Sequence, residues 1–168
     1  HYCLISLQRI INTKDMKKVN MTSFYIIGVS VRTTNEEMKA ATDIPELWNR
    51  FMTQQLQEVI PNKVDETLYA VYTNYEKDHT RPYDTVVGCA VTSLDNIPEG
   101  MVGITISAGE YMSFVSKGDL TQGAVYNTWL DIWNTPLERT YKTDFERYGE
   151  AAKNPTDAEV EIFVGVMK

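Results

Sequence analysis

Basic charge is scarce in this chain, with 16 Lys and Arg against 23 Asp and Glu over 168 residues and a formal net charge of −7. A protein that grips nucleic acid displaces phosphate counterions with clustered Lys and Arg. The densest basic stretch, Lys14, Lys17 and Lys18, reads as a solvated segment, so no direct nucleic-acid binding is expected. Cysteine and histidine are scarcer still, with two of each. His79 lies in a polar loop beside Asp78, which is too few ligands for a metal ion, and no cofactor is expected. No Ser or Cys has a matching histidine base or a nucleophile-elbow sequence, and neither common glycine-rich phosphate loop is present; no catalytic residue is assigned. Cys3 and Cys89 are far apart, and Cys89 falls in the apolar run Thr85 to Val91, where a reduced, buried thiol is expected. Apolar runs are too short to span a bilayer, and Tyr2 to Leu7 lacks the basic flank of a signal peptide. The expectation is a cytoplasmic protein without membrane association.

Aromatic residues are plentiful: ten Tyr, five Phe and three Trp. Rings carry much of the energy in cores and ligand pockets alike, so the count does not choose between them. The length fits one domain. Residues 1–22 read as an N-terminal extension, polar and without clear period from Asn12 to Asn20, either a loose arm or a contact with a second copy. The chain opens on His1, and Met16 and Met21 are candidate natural starts.

From Phe24 the pattern sharpens. Phe24 to Val31 is β-branched and aromatic and reads as a strand. Asp43-Ile44-Pro45-Glu46 reads as a helix start; Ile44, Leu47, Trp48, Phe51, Gln55 and Val59 follow helical spacing up to Pro61. Strands Leu68 to Tyr75 and Val86 to Ser93 follow. The second half repeats the order, with extended segments Val102 to Ser107 and Glu110 to Val115, a helix from Gln122 to Asn134, and strands Thr143 to Tyr148 and Glu159 to Val166. The prediction is an α+β fold: a curved antiparallel sheet with two main helices on one side and a ligand cleft between the halves. Trp48, Trp129 and Trp133, at helical spacing, are expected mainly as core. Strand parity puts Tyr69 and Tyr75 on one face and Tyr72 on the other.

The segment Asp144-Phe145-Glu146-Arg147-Tyr148-Gly149 carries the most chemistry. Alternation puts Asp144, Glu146 and Tyr148 on one face. In an apolar, ring-lined cavity a carboxylate is costly unless paired or protonated, so it would recognise a cation or transfer a proton. On spacing alone, alternating charged residues more often face water.

Ile106-Ser107-Ala108-Gly109-Glu110-Tyr111-Met112-Ser113-Phe114, followed by Lys117-Gly118, resembles the signature of GyrI-like proteins, the effector-binding family shared with multidrug-responsive transcription activators. Asp144 to Tyr148 is similar to that family's C-terminal acidic motif. Gly28 to Thr33 and Tyr72 to His79 resemble its stand-alone, integron-associated branch. The resemblance spans residues 22–168 and gives a GyrI-like domain at 23–168. It implies a duplicated β-α-β-β unit and binding of lipophilic, cationic aromatic molecules at an interior glutamate, here Glu146, with Tyr148 beside it. Trp48, Trp133, Tyr111, Phe51 and Tyr83 are assigned to the cleft wall from their placement, not from the motif. Ser107 stands where the family has proline, and Met112 where a small residue is usual, a change that would reshape the pocket. The implied role is a stand-alone sensor or sequestering protein, whose protein partner would be a second copy or a separate regulator. Hydrolysis of small electrophiles by the same glutamate, or protein interaction of the gyrase-inhibitor type, are the alternatives.

Overall fold

The structure, a computed structural model, describes residues 16–168; Cys3, Lys14 and the expected extension up to residue 15 lie outside the described residues. Eight strands form one sheet in the order β1-β6-β8-β7-β3-β4-β2-β5. They are β1 (Lys17–Met21), β2 (Phe24–Thr33), β3 (Lys63–Thr73), β4 (Tyr83–Val91), β5 (Val102–Ile106), β6 (Gly109–Gly118), β7 (Arg139–Tyr148) and β8 (Ala158–Val166). Helix α1 (Ala40–Thr53) lies between β2 and β3, and α2 (Ala124–Trp133) between β6 and β7. All pairings are antiparallel.

This order is the duplicated unit with one addition. The first half contributes β3-β4-β2 and the second β6-β8-β7, each with its helix in the same chain position. The halves join at the centre, where β3 pairs with β7 and Ala70 lies opposite Glu146. Each half also has a leading strand that crosses to the other: β1 edges β6, and β5 edges β2. Lys17–Met21, read from sequence as part of an extension, is therefore a strand of the sheet, and Val19 and Met21 pack on its core. Val19 and Met21 alternate as a strand requires, but two covered residues in five do not stand out from the polar stretch before them.

Both helices cover one face. Leu47 and Phe51 of α1 pack on Ile27, Val29, Val87 and Cys89; Trp129 and Ile132 of α2 pack on Phe114, Ile162 and Val164. Cys89 is a free thiol, pushed up to about 11 by burial. Among the described residues the other face has no helix, yet it is also a core. Phe145 and Phe163 from the centre meet Tyr111, Ile26 and Ile106, with Val19 of one edge strand and Ile104 of the other. One cluster can gather residues from both edges only if the sheet curls toward that side. Gly28 lies opposite Gly88 in β2 and β4, where a Cβ on Gly28 would sit 2.1 Å from the Val87 carbonyl oxygen. Those strands approach more closely than a side chain permits.

Helix α1 differs from its predicted span at both ends. It begins at Ala40, so Pro45 lies inside it, and Pro45, lacking an N–H, leaves the Ala41 carbonyl without its helical partner. It ends at Thr53; Gln55 adopts φ 51° and a 3-10 turn covers Leu56–Val59. Among the described residues no helix is long and apolar enough to cross a membrane.

Candidate functional site

The two helices stand apart over the central strands and leave a cleft of about 590 Å³. Ile44 and Trp48 of α1 form one wall, and Val125, Trp129 and Trp133 of α2 the other. Tyr72 of β3 and Glu146 and Tyr148 of β7 lie between them. Met38, Asn35, His79 and Tyr83 border it from the loops and strand ends nearby.

Glu146 is buried, at 2% exposure. Its Oε2 accepts hydrogen bonds from the Tyr72 hydroxyl at 2.6 Å and the Trp129 indole N–H at 2.7 Å. Its Oε1 accepts from the Tyr148 hydroxyl at 2.5 Å. Burial raises its pKa above the ordinary value, and the three hydrogen bonds only partly counter this. Tyr72 and Tyr148 are pushed well above the ordinary phenol value by burial and by the adjacent carboxylate, so both stay protonated donors. Among the described residues Glu146 forms no ion pair. The local geometry explains the donors. Tyr72 lies opposite Asp144 in register, but its ring reaches diagonally to Glu146 beside the small Ala70.

The carboxylate two residues earlier is handled differently. Asp144 Oδ2 accepts from Tyr75 at 2.6 Å and from the Arg139 guanidinium at 2.7 Å, while Oδ1 accepts from the Gly165 N–H at 2.9 Å. The guanidinium lies 4.3 Å from the Tyr141 ring and 6.0 Å from that of Trp129. The aromatic groups also order one another: Trp48 meets Tyr148 edge-on at 4.9 Å, and Tyr72 meets Trp129 at 5.6 Å and Tyr83 at 5.9 Å.

Of the residues expected at the site, Glu146, Tyr148, Trp48, Trp133 and Tyr83 line this cleft. Phe51 and Tyr111 do not. Phe51 is fully buried between α1 and the sheet. Tyr111 points to the opposite face, where it packs 5.6 Å from Phe145 and donates to the Ser107 carbonyl at 2.6 Å. Met112, its neighbour, packs beneath α2 rather than in the cleft wall. Tyr75 joins Tyr72 at the cleft against the parity rule, because β3 ends at Thr73 and Asn74 takes φ 51°, which turns the next side chain over. Sequence reasoning did not assign Tyr72, Tyr75, Trp129, Asp144, His79 or Arg139 to the site. Asp144 was visible through its parity with Glu146; Arg139 carried no signal.

Residues 19–166 match the family described as integron-associated effector binding protein, Cass2. The chain belongs to this family. The putative transcriptional regulator protein YobU of Bacillus subtilis is 32% identical over 145 residues, covering 84% of this chain and 91% of that one. An integron cassette protein from the mobile metagenome of Vibrio cholerae has a similar structure, with 33% identity, a TM-score of 0.69 and coverage of 92% and 97%. SAV2435, solved bound to tetraphenylphosphonium, shares the fold at 16% identity, with a TM-score of 0.74 and coverage of 90% and 93%. As a member of an effector-binding family, the chain is a small-molecule binder.

Proposed function

We propose that the cleft binds lipophilic aromatic cations, with Glu146 as the charge partner and the surrounding rings as the walls. The observation that carries this reading is a buried carboxylate held by three neutral donors and, among the described residues, no cation. Neutral donors stabilise the ionised form but leave its net charge unbalanced in a poorly hydrated site. A ligand cation balances it and gains about 0.5–2 kcal/mol from each ring that it faces. Asp144, on the same face of β7, shows the same arrangement occupied from within, with a phenol donor, flanking rings and a guanidinium cation. The tetraphenylphosphonium held by SAV2435 is a ligand of this class on the same fold.

Hydrolysis by Glu146 makes a different demand, an oxygen ready to take a proton from water. Three of the carboxylate's roughly four lone-pair positions already accept hydrogen bonds, which leaves one on Oε1. A sensor or sequestering role follows from binding without turnover, in the cytoplasm and alone or with a second copy or separate regulator. The test is a tryptophan-fluorescence titration with N-benzylquinolinium and its neutral isostere 1-benzylnaphthalene. The cation binds more tightly; equal affinities would mean that the cleft selects only for apolar surface.

A further inference from the structure

Beyond Asp144 the cleft contains a guanidinium that is only half used. Arg139 donates from Nη2 to Asp144, and its side chain is 5% exposed. Its Nε and Nη1 are buried and have no hydrogen-bond partner among the described residues, and neither has the buried Nδ1 of His79. Both residues line the cleft. Arg139 is near enough to help burial push His79 below its ordinary value, which keeps the imidazole neutral. Buried polar groups are nearly always satisfied. Of the five buried side-chain atoms without a hydrogen-bond partner among the described residues, three belong to this pair.

The backbone is bent to build this end of the cleft. β7 shifts register between Arg139 and Asp144, and Tyr141 in that stretch has φ 52°, a costly conformation for an aromatic residue. The bend lays the Tyr141 ring on the guanidinium and within 5.7 Å of the Tyr75 ring. His79 stacks on Trp133 at 5.1 Å, with planes 7° apart. Stacking thus holds both residues in place while their spare polar atoms go unused.

We propose that Arg139 and His79 form a second subsite that holds a neutral oxygen acceptor, an amide, ketone or ester carbonyl, on a ligand whose cationic ring system lies against Glu146. This rests on the cation-binding reading of the cleft. The acceptor is neutral because Asp144 already balances the guanidinium; a carboxylate would set a second anion against one cation, with Glu146 close by. Asp144 and Glu146 are two residues apart on β7, so charge and acceptor on the ligand are separated by roughly 7 Å.

The probes are N-benzylquinolinium, its derivatives with a carboxamide at the meta or para position of the benzyl ring, and the matching carboxylates. Affinities are compared for the parent protein, His79→Phe, which keeps a ring on Trp133, and Arg139→Lys, which keeps a cation for Asp144 but takes the donors away from the Nε and Nη1 positions. In the parent, one carboxamide isomer binds about tenfold more tightly than the plain cation. Measured against each protein's own affinity for the plain cation, that gain falls below about threefold in each variant. If Arg139→Lys fails to fold, His79→Phe decides. A plain cation that binds with no carboxamide gain at either position sinks the subsite alone, its donors then being met by water. A gain that survives His79→Phe and Arg139→Lys also overturns it, and a carboxylate that outbinds the carboxamide overturns the neutral acceptor. A plain cation that does not bind, or binds Glu146→Gln equally well, sinks the cation reading and the subsite with it.

Discussion

Replacing Glu146 by glutamine changes the charge of the cleft and almost nothing else. A glutamine oxygen at the Oε2 position keeps the bonds from Tyr72 and Trp129. Its amide nitrogen then faces the Tyr148 hydroxyl, which can turn its proton away and accept. The Tyr148 proton loses its acceptor, a cost borne with and without ligand, so the change in affinity still reflects the charge. Removing one partner of a buried ion pair costs about 3–5 kcal/mol where water is excluded. This cleft is open on one side, so the low end of that range is a ceiling, and the expected loss for a permanent cation is at least about tenfold. Tryptophan fluorescence reports it directly, since Trp129 contacts Glu146 and Trp48 and Trp133 line the walls. The neutral 1-benzylnaphthalene binds both proteins equally. The pH profile checks the same group independently. A bound cation favours ionised Glu146, so binding is full above the free-protein pKa and fades as pH falls through it. Because burial raises that pKa, the fade begins at higher pH than for an exposed carboxylate, and the glutamine variant lacks it. His79, also at the cleft, is held below its ordinary value and charges later on the acid side; His79→Phe leaves the Glu146 limb intact. Equal affinity of N-benzylquinolinium for parent and glutamine variant at neutral pH would refute the reasoning.

Stability moves the opposite way from binding. A raised carboxylate pKa gives a contribution present below the unfolded value and lost as pH rises through the folded one. Ligand-free Glu146→Gln should therefore gain in Tm over the parent as pH rises through that range; a constant difference from acid to neutral pH would count against it. Trp129→Phe removes one of the hydrogen bonds that hold the Glu146 pKa down, so its acid limb shifts to higher pH, and an unmoved limb would show that this bond is not made. Phe51→Ala should cost about 3–5 kcal/mol of stability, read by urea unfolding, with cation affinity of the folded protein unchanged; a selective loss of affinity would place Phe51 at the ligand. Finally, with a net charge of −7, the purified chain should not retard duplex DNA at low salt, and a retarded band would contradict this.

Strand alternation correctly grouped Asp144, Glu146 and Tyr148, because side-chain period is a local property of extended backbone. Which face is covered is not local, and there spacing alone favoured water. Glu146 is buried because the halves of the chain meet at β3 and β7, which makes its strand central rather than peripheral. Tyr111 went to the wrong interior for a related reason. The sheet curls so that its helix-free face is also a core, and an aromatic residue on β6 had two buried sides to occupy. Tyr75 escaped because parity fails once Asn74 turns into the left-handed region, and Arg139 because a bulge returns it to the cleft. The donors on Glu146 show the limit most clearly. Tyr72 comes from the first half and Trp129 from the second, yet both reach the same oxygen. The site straddles both halves, so the motif on β7 marks the acid and its neighbour Tyr148 but neither Tyr72 nor Trp129.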